Sequence, residues 1–340
     1  MAPRAGFVSL KGFYMPVIVQ GLLTIVIGVG GCIGYFYLSN LLLDKVIFPA
    51  KGENAGRNIN RANQIRPWLF LFPAIFALGL YLVYPVVGSF WRSLYGRSPS
   101  DWVGFDNYVQ LAASNEFQQA FFNNLLWVIV VPAMATFLGL LVAQLTDKLS
   151  WGNIAKSLIF MPMAISFVGA SLIWKFVYAN DADIGLINAI RASLGFGNPI
   201  DVMQIPFWNN FFLMVILIWI QTGFAMVILS AALRGIPEET IEAAILDGAN
   251  PWQLFFRIKV PQIMGTIVVV WTTITILVLK VFDIVYTMTG GNFGTEILPS
   301  YMMDFMFRDD GRATAVAFII MIVVLPVMIW NIVQARKEMR

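Results

Sequence analysis

The sequence contains no histidine, a single cysteine and few charges. Without histidine the commonest general base and metal ligand is missing, and with it any His-based triad or HExxH zinc site. Cys32 stands alone inside an apolar run, so neither a disulfide framework nor a CxxC redox or zinc site can be built. No GxxxxGK followed by Ser or Thr occurs, which removes the backbone cradle for nucleotide phosphates. Charged residues make up 12% of the 340 residues, against roughly 25% in a soluble domain. The net charge of +3 is small and its basic residues are spread over loops, a poor match to nucleic acid.

What is abundant is apolar: 59% of residues, with a mean hydropathy of +0.76. A membrane-spanning helix needs roughly 20 mostly apolar residues. Seven stretches qualify, about Val17–Leu43, Pro67–Phe90, Phe122–Leu145, Leu158–Val177, Phe207–Leu233, Gln262–Val281 and Ala313–Val333. The expected fold is an all-α polytopic membrane protein with about seven transmembrane helices. The first run is longer than a signal-peptide core and is followed by Lys and Arg, so it reads as a retained span. Pro73, Pro85, Pro132, Pro162 and Pro326 fall inside spans, where lipid-buried neighbours can re-satisfy the backbone. Each reads as a kink or a gating hinge.

Basic residues orient the chain. One set of loops holds Lys45, Lys51, Arg57, Arg61, Arg66, Lys148, Lys156, Arg234, Arg257, Lys259, Arg336, Lys337 and Arg340. The other holds Arg4, Lys11, Arg92, Arg97, Lys175, Arg191, Arg308 and Arg312. The positive-inside bias puts the first set, and the C-terminus, in the cytoplasm and the N-terminus outside. The polar stretch Asp44 to Arg66, with Gly52 and Gly56, reads as a linker. It separates a unit over residues 1–66, one extra span and a basic cytoplasmic tether, from a six-span block over 67–340.

One cytoplasmic loop, 234–261, is longer than a connection requires. It reads EAAILDGANPWQLFFRIKVP from Glu242 to Pro261. Pro237, Glu238 and Glu239 start a helix, and Asp247-Gly248 stops it. Asn250 caps a second helix with Pro251 at its first position. Two short helices joined at Gly248 form an elbow. Ala243, Ala244 and Gly248 are small enough for another surface to approach closely, and the carboxylates of Glu238, Glu239 and Glu242 suit a partner's groove better than a lipid surface. Residues alone leave two readings open, a docking helix or a plain re-entry helix.

EAA, Gly248 and then Ile258-Lys259-Val260-Pro261 resemble the EAA loop of bacterial ABC importer permeases, with Val260 where the family usually has Leu. VGFDNY (Val103 to Tyr108), Asn123-Asn124, FMP (Phe160 to Pro162) and FDIVYTMTGG (Phe282 to Gly291) make residues 67–335 similar to maltose-type sugar permeases. SNLLLDKVIFPAKG, Ser39 to Gly52, resembles the α-glucoside branch. The resemblance implies a six-helix type I permease core plus the extra N-terminal span, with the elbow as cytoplasmic coupling helices. It further implies a second homologous permease subunit, an ATPase dimer carrying ATP and Mg, and an extracytoplasmic solute-binding protein. On that reading Glu242, Ala243, Ala244, Asp247, Gly248, Ile258 and Pro261 couple the chain to the ATPase, and this chain holds no cofactor and catalyses nothing itself.

The same resemblance places the solute site at Leu217, Ile220, Gln221 and Phe224 of the fifth span and Thr273, Ile276, Leu277 and Lys280 of the sixth. Gln221 is its best polar candidate, with Phe224 or Trp219 as a platform for a sugar ring. Lys280 and Asp283 stand at i and i+3, a spacing that lets them pair on one helix face. Either they reach a sugar hydroxyl, or Lys280 reaches the outer interface or neutralises Asp283. Ser166, Ser171, Ser230, Gly139 and Gly169 read as helix packing, and Trp68, Trp91, Trp174 and Trp271 as interface anchors. The expected cargo is an α-glucoside such as trehalose, sucrose or maltose, or a glucosylated compatible solute. The competing class, an ion-coupled secondary transporter, needs an ion site at mid-membrane, and no Asp or Glu lies deep within any span.

Overall fold

The computed structural model describes residues 17–51, 54–147 and 149–338. Among them the regular structure is helical, apart from an isolated β-bridge from Tyr95 to Trp102. Arg4, Lys11, Lys148, Arg340 and Gly52 lie outside the described residues. By contacts the chain divides after Pro85 into two compact units.

The first unit carries α1 (Val17–Leu42) and α2 (Ala55–Leu78). The Tyr35 hydroxyl donates to the Leu69 carbonyl at 2.8 Å. The Arg66 guanidinium donates to both Asp44 carboxylate oxygens, at 2.6 and 2.8 Å. These bonds correct the expected linker over 44–66. A wide π turn carries the first helix on to Ile47, and α2 is already helical from Ala55, so Arg57, Arg61 and Arg66 stand on a helix. Pro67 and Pro73 are absorbed inside it.

After α3 (Tyr84–Ser93) and α4 (Asp106–Ala113), the second unit is built on α5 (Asn115–Thr146). Then come α6 (Gly152–Phe160), α7 (Phe167–Val177), α8 (Leu186–Ser193) and α9 (Trp208–Arg234). The next segments are α10 (Glu238–Leu246), α11 (Pro251–Gln253), α12 (Val260–Gln262) and α13 (Met264–Val278). The chain closes with α14 (Asp283–Met288), α15 (Leu298–Met306) and α16 (Asp310–Glu338).

Five helical stretches among the described residues are long and apolar enough to cross a membrane, and two bent pairs bring the number to seven. The first bend corrects an expected straight span, Leu158–Val177, while the second falls at the expected junction of elbow and sixth span. Gly152–Ala164 and Phe167–Val177 meet at 107°. A tight turn with buried Pro162 ends the first piece, and the Ser166 hydroxyl, accepting from the Gly169 amide at 3.1 Å, starts the second. Ser166 is thus a cap and not a packing residue. Pro251–Gln262 and Met264–Val278 meet at 70°.

The core lies along α5 and α9. Lipid is as apolar as Leu, so helices here are held by close van der Waals packing, which favours small residues. A Cβ on Gly139 of α5 would fall 2.5 Å from the Ala225 Cβ and 2.8 Å from the Met226 nitrogen of α9. One on Gly223 would fall 2.7 Å from the Ile159 carbonyl oxygen in α6. Trp127, Leu213, Met214, Leu217, Met226 and Ile274 fill the centre, all fully buried. A second cluster, with Leu111, Phe117, Leu298, Tyr301 and Val316, joins α4, α5, α15 and α16.

Candidate functional site

The elbow follows directly from the end of α9. Pro237 caps α10, and Glu238 and Glu239 occupy its first turn, where the positive end of the helix dipole favours acids. Gly248 then adopts φ +83° with nothing within 4 Å of where a Cβ would stand. Glycine is needed there for the backbone and not for space. Asn250 and Gln253 form a reciprocal capping box: the Gln253 amide donates to Asn250 Oδ1 at 2.8 Å and the Asn250 amide to Gln253 Oε1 at 2.9 Å. Beyond it, Leu254–Lys259 widens into a π turn, and the limb continues through Pro261 to Gln262, one residue past its expected end.

Glu242, Ala243, Asp247, Gly248 and Pro261 are exposed, while Ala244 and Ile258 are half-buried. Leu246, at the tip of α10, is 88% exposed. The inner side of the elbow rests against α5. Lys259 Nζ donates to Gln144 Oε1 at 3.3 Å, at the edge of a cavity of about 330 Å³ that Ile245, Leu254 and Phe255 also line. Beside it Arg234 Nε lies 3.2 Å from Asp147 Oδ1, and Lys156 Nζ donates to Ser230 Oγ at 2.6 Å. Ser230, expected to pack only, is thus a hydrogen-bond partner. The expected coupling residues share one small feature, held to α5 through Lys259 and Gln144.

The expected solute positions are divided. Leu217 and Ile220 are buried core residues. Gln221 is only 4% exposed, yet neither polar atom of its amide is both buried and without a partner. Phe224, Ile276 and Leu277 are half-buried, and Thr273 is exposed with its hydroxyl donated to the Val269 carbonyl at 2.7 Å. Trp219 packs edge-on against the half-buried Trp174 at 5.8 Å.

The pairing of Lys280 with Asp283 does not occur. The helix ends at Val278, and the chain turns so that Leu279 and Val281 are both buried, at 1% and 2% exposure. Lys280 lies in the break before the next helix begins at Asp283, and its side chain is exposed. Lys280 lines a hollow with Met302 and Ala317, whereas Asp283 lines another with Met163 and Ser166.

A family model described as "Binding-protein-dependent transport system inner membrane component" matches residues 135–339. The chain belongs to this family. It is therefore a multi-pass inner-membrane permease component. It is 61% identical over 334 residues to the alpha-glucoside transport system permease protein AglF of Rhizobium meliloti, covering 95% of this chain and 99% of that one. It is 49% identical over 280 residues to the osmoprotective compounds uptake permease protein GgtC of Synechocystis, covering 80% of this chain and all of that one. In fold it matches a chain of a bacterial ABC transporter that imports alginate, at a TM-score of 0.69 and 21% identity, over 85% of this chain and all of the other.

The permease carries one feature that spacing did not reveal. Three asparagines lace the loop after α14 to the N-terminal parts of α5 and α9. Asn123 Nδ2 donates to the Gly294 and Glu296 carbonyls at 2.8 and 2.7 Å, and Asn209 Nδ2 to the Phe293 carbonyl at 2.8 Å. Asn210 accepts from Trp127 Nε1 at 3.3 Å. Glu296 in that loop has its carboxyl raised to about 7, first by burial and then by the Asp304 carboxylate beside it. Paired asparagines at two span entries were the available signal, but their partners lie more than 80 residues away.

Proposed function

We propose that this permease passes an α-glucoside, or a glucosylated compatible solute, across the membrane as one half of a permease pair driven by a separate ATPase dimer. The observation that carries the substrate class is the near full-length identity to an α-glucoside permease. The relative that takes up osmoprotective compounds supports the compatible-solute variant. A binding protein delivers the solute to the outer loops, ATP and Mg act on the ATPase, and no reaction is catalysed by this chain. Its N-terminus lies outside and its C-terminus in the cytoplasm. Residues 1–66 are an accessory span and tether, and 67–340 the transport domain.

The elbow receives the work. Glu242, Ala243, Ala244, Asp247, Gly248, Ile258 and Pro261 dock on the ATPase, whose closure moves α13 through the bend at Ile263. Alternating access then opens a pathway past Gln221, Phe224, Thr273 and Leu277, with Lys280 and Asp283 in separate hollows at its outer end. Gln221, the polar amide on the buried face of α9, is the side chain in this set best placed for a sugar hydroxyl.

The test is reconstitution with the ATPase, the second permease and the binding protein. Wild type is expected to import trehalose, sucrose, maltose or glucosylglycerol with ATP hydrolysis. Glu242→Arg should lose the ATPase from a detergent pull-down, and Gly248→Trp should lose import. Retention of the ATPase by Glu242→Arg together with unchanged import by Gly248→Trp would remove the coupling role.

A further inference from the structure

The two limbs of the elbow differ in chemistry. The first, α10 with its stop, carries Glu238, Glu239, Glu242 and Asp247 and no basic residue. The second, residues 251–262, carries Arg257 and Lys259 and no acid. It also exposes two large aromatics, Trp252 at 73% and Phe256 at 54%. Their rings stack in parallel, 2° apart in plane and 5.8 Å between centroids. Leu254 and Phe255 of the same limb turn the other way, toward the cavity against α5. The limb therefore has an inner side packed on the protein and an outer side with nothing on it.

Its direction says what covers that outer side. The limb bends 70° from α13, the span it leads into. A helix that crosses the bilayer with an ordinary tilt leaves such a limb close to the membrane plane, at the depth where that span ends. Aromatic rings and basic side chains are the groups that settle at this depth: the rings in the headgroup and upper acyl region, the cations on phosphate. Arg257 follows Phe256 directly, is exposed at the hollow it lines with Gly248 and Gln253, and forms no ion pair among the described residues. The acidic limb would be repelled by the same surface, since the cytoplasmic leaflet is negatively charged.

We infer that the second limb is a lipid foot: Trp252 and Phe256 insert into the cytoplasmic headgroup layer and Arg257 binds lipid phosphate, while the acidic first limb faces the ATPase. The foot gives the elbow a fixed heel, so that a push on α10 is resisted at the membrane surface and delivered as a tilt of α13. Both limbs would then do different jobs on the two sides of Gly248. The assignment goes beyond the docking role proposed above and stands or falls separately from it.

The experiment uses the complete transporter in phosphatidylglycerol-containing vesicles, with Trp252→p-benzoylphenylalanine as a photo-crosslinking probe. Illumination is expected to give a phospholipid adduct as the main product, with or without the ATPase bound. Position 256 carries the probe if the first variant is not produced. Leu246→p-benzoylphenylalanine, on the acidic limb, should instead yield an adduct with the ATPase subunit. If position 252 and position 256 both cross-link to the ATPase or the second permease, or give no lipid adduct, the foot is overturned. A lipid adduct at 252 with no ATPase adduct at 246 supports the foot while removing the docking reading.

Discussion

Helices α1 and α9 are nearly the same length, 26 and 27 residues, and both are apolar around their whole circumference. None of the most apolar window of α1 is buried, whereas 67% of that of α9 is. Overall apolarity therefore says that a helix crosses lipid, not whether protein surrounds it. What separates the two is the polar and small residues. α9 buries Asn209, Asn210, Gln221, Thr222 and Ser230 and lets α6 approach Gly223. The α1 glycines at 21, 28, 30, 31 and 34 have nothing within 4 Å of where a Cβ would stand.

The strongest way to break this comparison is to enlarge one glycine in each setting. Gly139→Leu, against α9, forces two backbones apart and should cost on the order of 1–3 kcal/mol or more, seen as a lower thermal midpoint in detergent. Gly28→Leu in α1 should leave that midpoint unchanged. A drop for Gly28→Leu alone would reverse the assignment of surface and interior.

Asn210→Leu comes next. It removes the acceptor for the Trp127 indole in a buried setting, an effect of about 1–3 kcal/mol. Limited proteolysis of the loop around Phe293 should speed up, while the matching change Asn40→Leu at the end of α1 should not alter it. Gln221→Leu is expected to lower import several-fold with little change in thermal midpoint, which separates a pathway residue from a packing one. Unchanged import would return Gln221 to the core.

The smallest effect is in pH. Glu296 is raised from 4.5 to about 7 in the folded chain, so the fold binds its proton more tightly than the unfolded chain does. Its contribution to stability is full below about pH 4.5 and is lost as the pH rises through about 7. Glu296→Gln should flatten that part of a stability profile. A profile unchanged by the substitution would place the titration elsewhere.

Much of this architecture is legible in the sequence because lipid imposes length and composition on each span. The elbow is legible because its punctuation is local: Pro237, Gly248, Asn250 and Pro251 each act on their immediate neighbours. The failures occur where a distant partner overrides a local rule. Lys280 and Asp283 have a helical spacing, yet one helix ends at Val278 and the next begins only at Asp283. The stretch 44–66 is polar enough for a linker, yet Arg66 and Asp44 tie its ends together and most of it is helical. Ser230 looks like a small packing residue until Lys156, 74 residues earlier, is brought beside it.

The asparagine lace has a consequence for how the chain is made. Asn123 waits 171 residues for the Gly294 carbonyl and 173 for that of Glu296. Synthesis proceeds at about 5–20 residues per second, so α5 is in the membrane for roughly ten seconds or more before its partner exists. During that interval the side-chain amides of Asn123 and Asn209 have no loop to bind. The outer loop is thus among the last parts of the permease to acquire its shape, after every helix that holds it has been inserted.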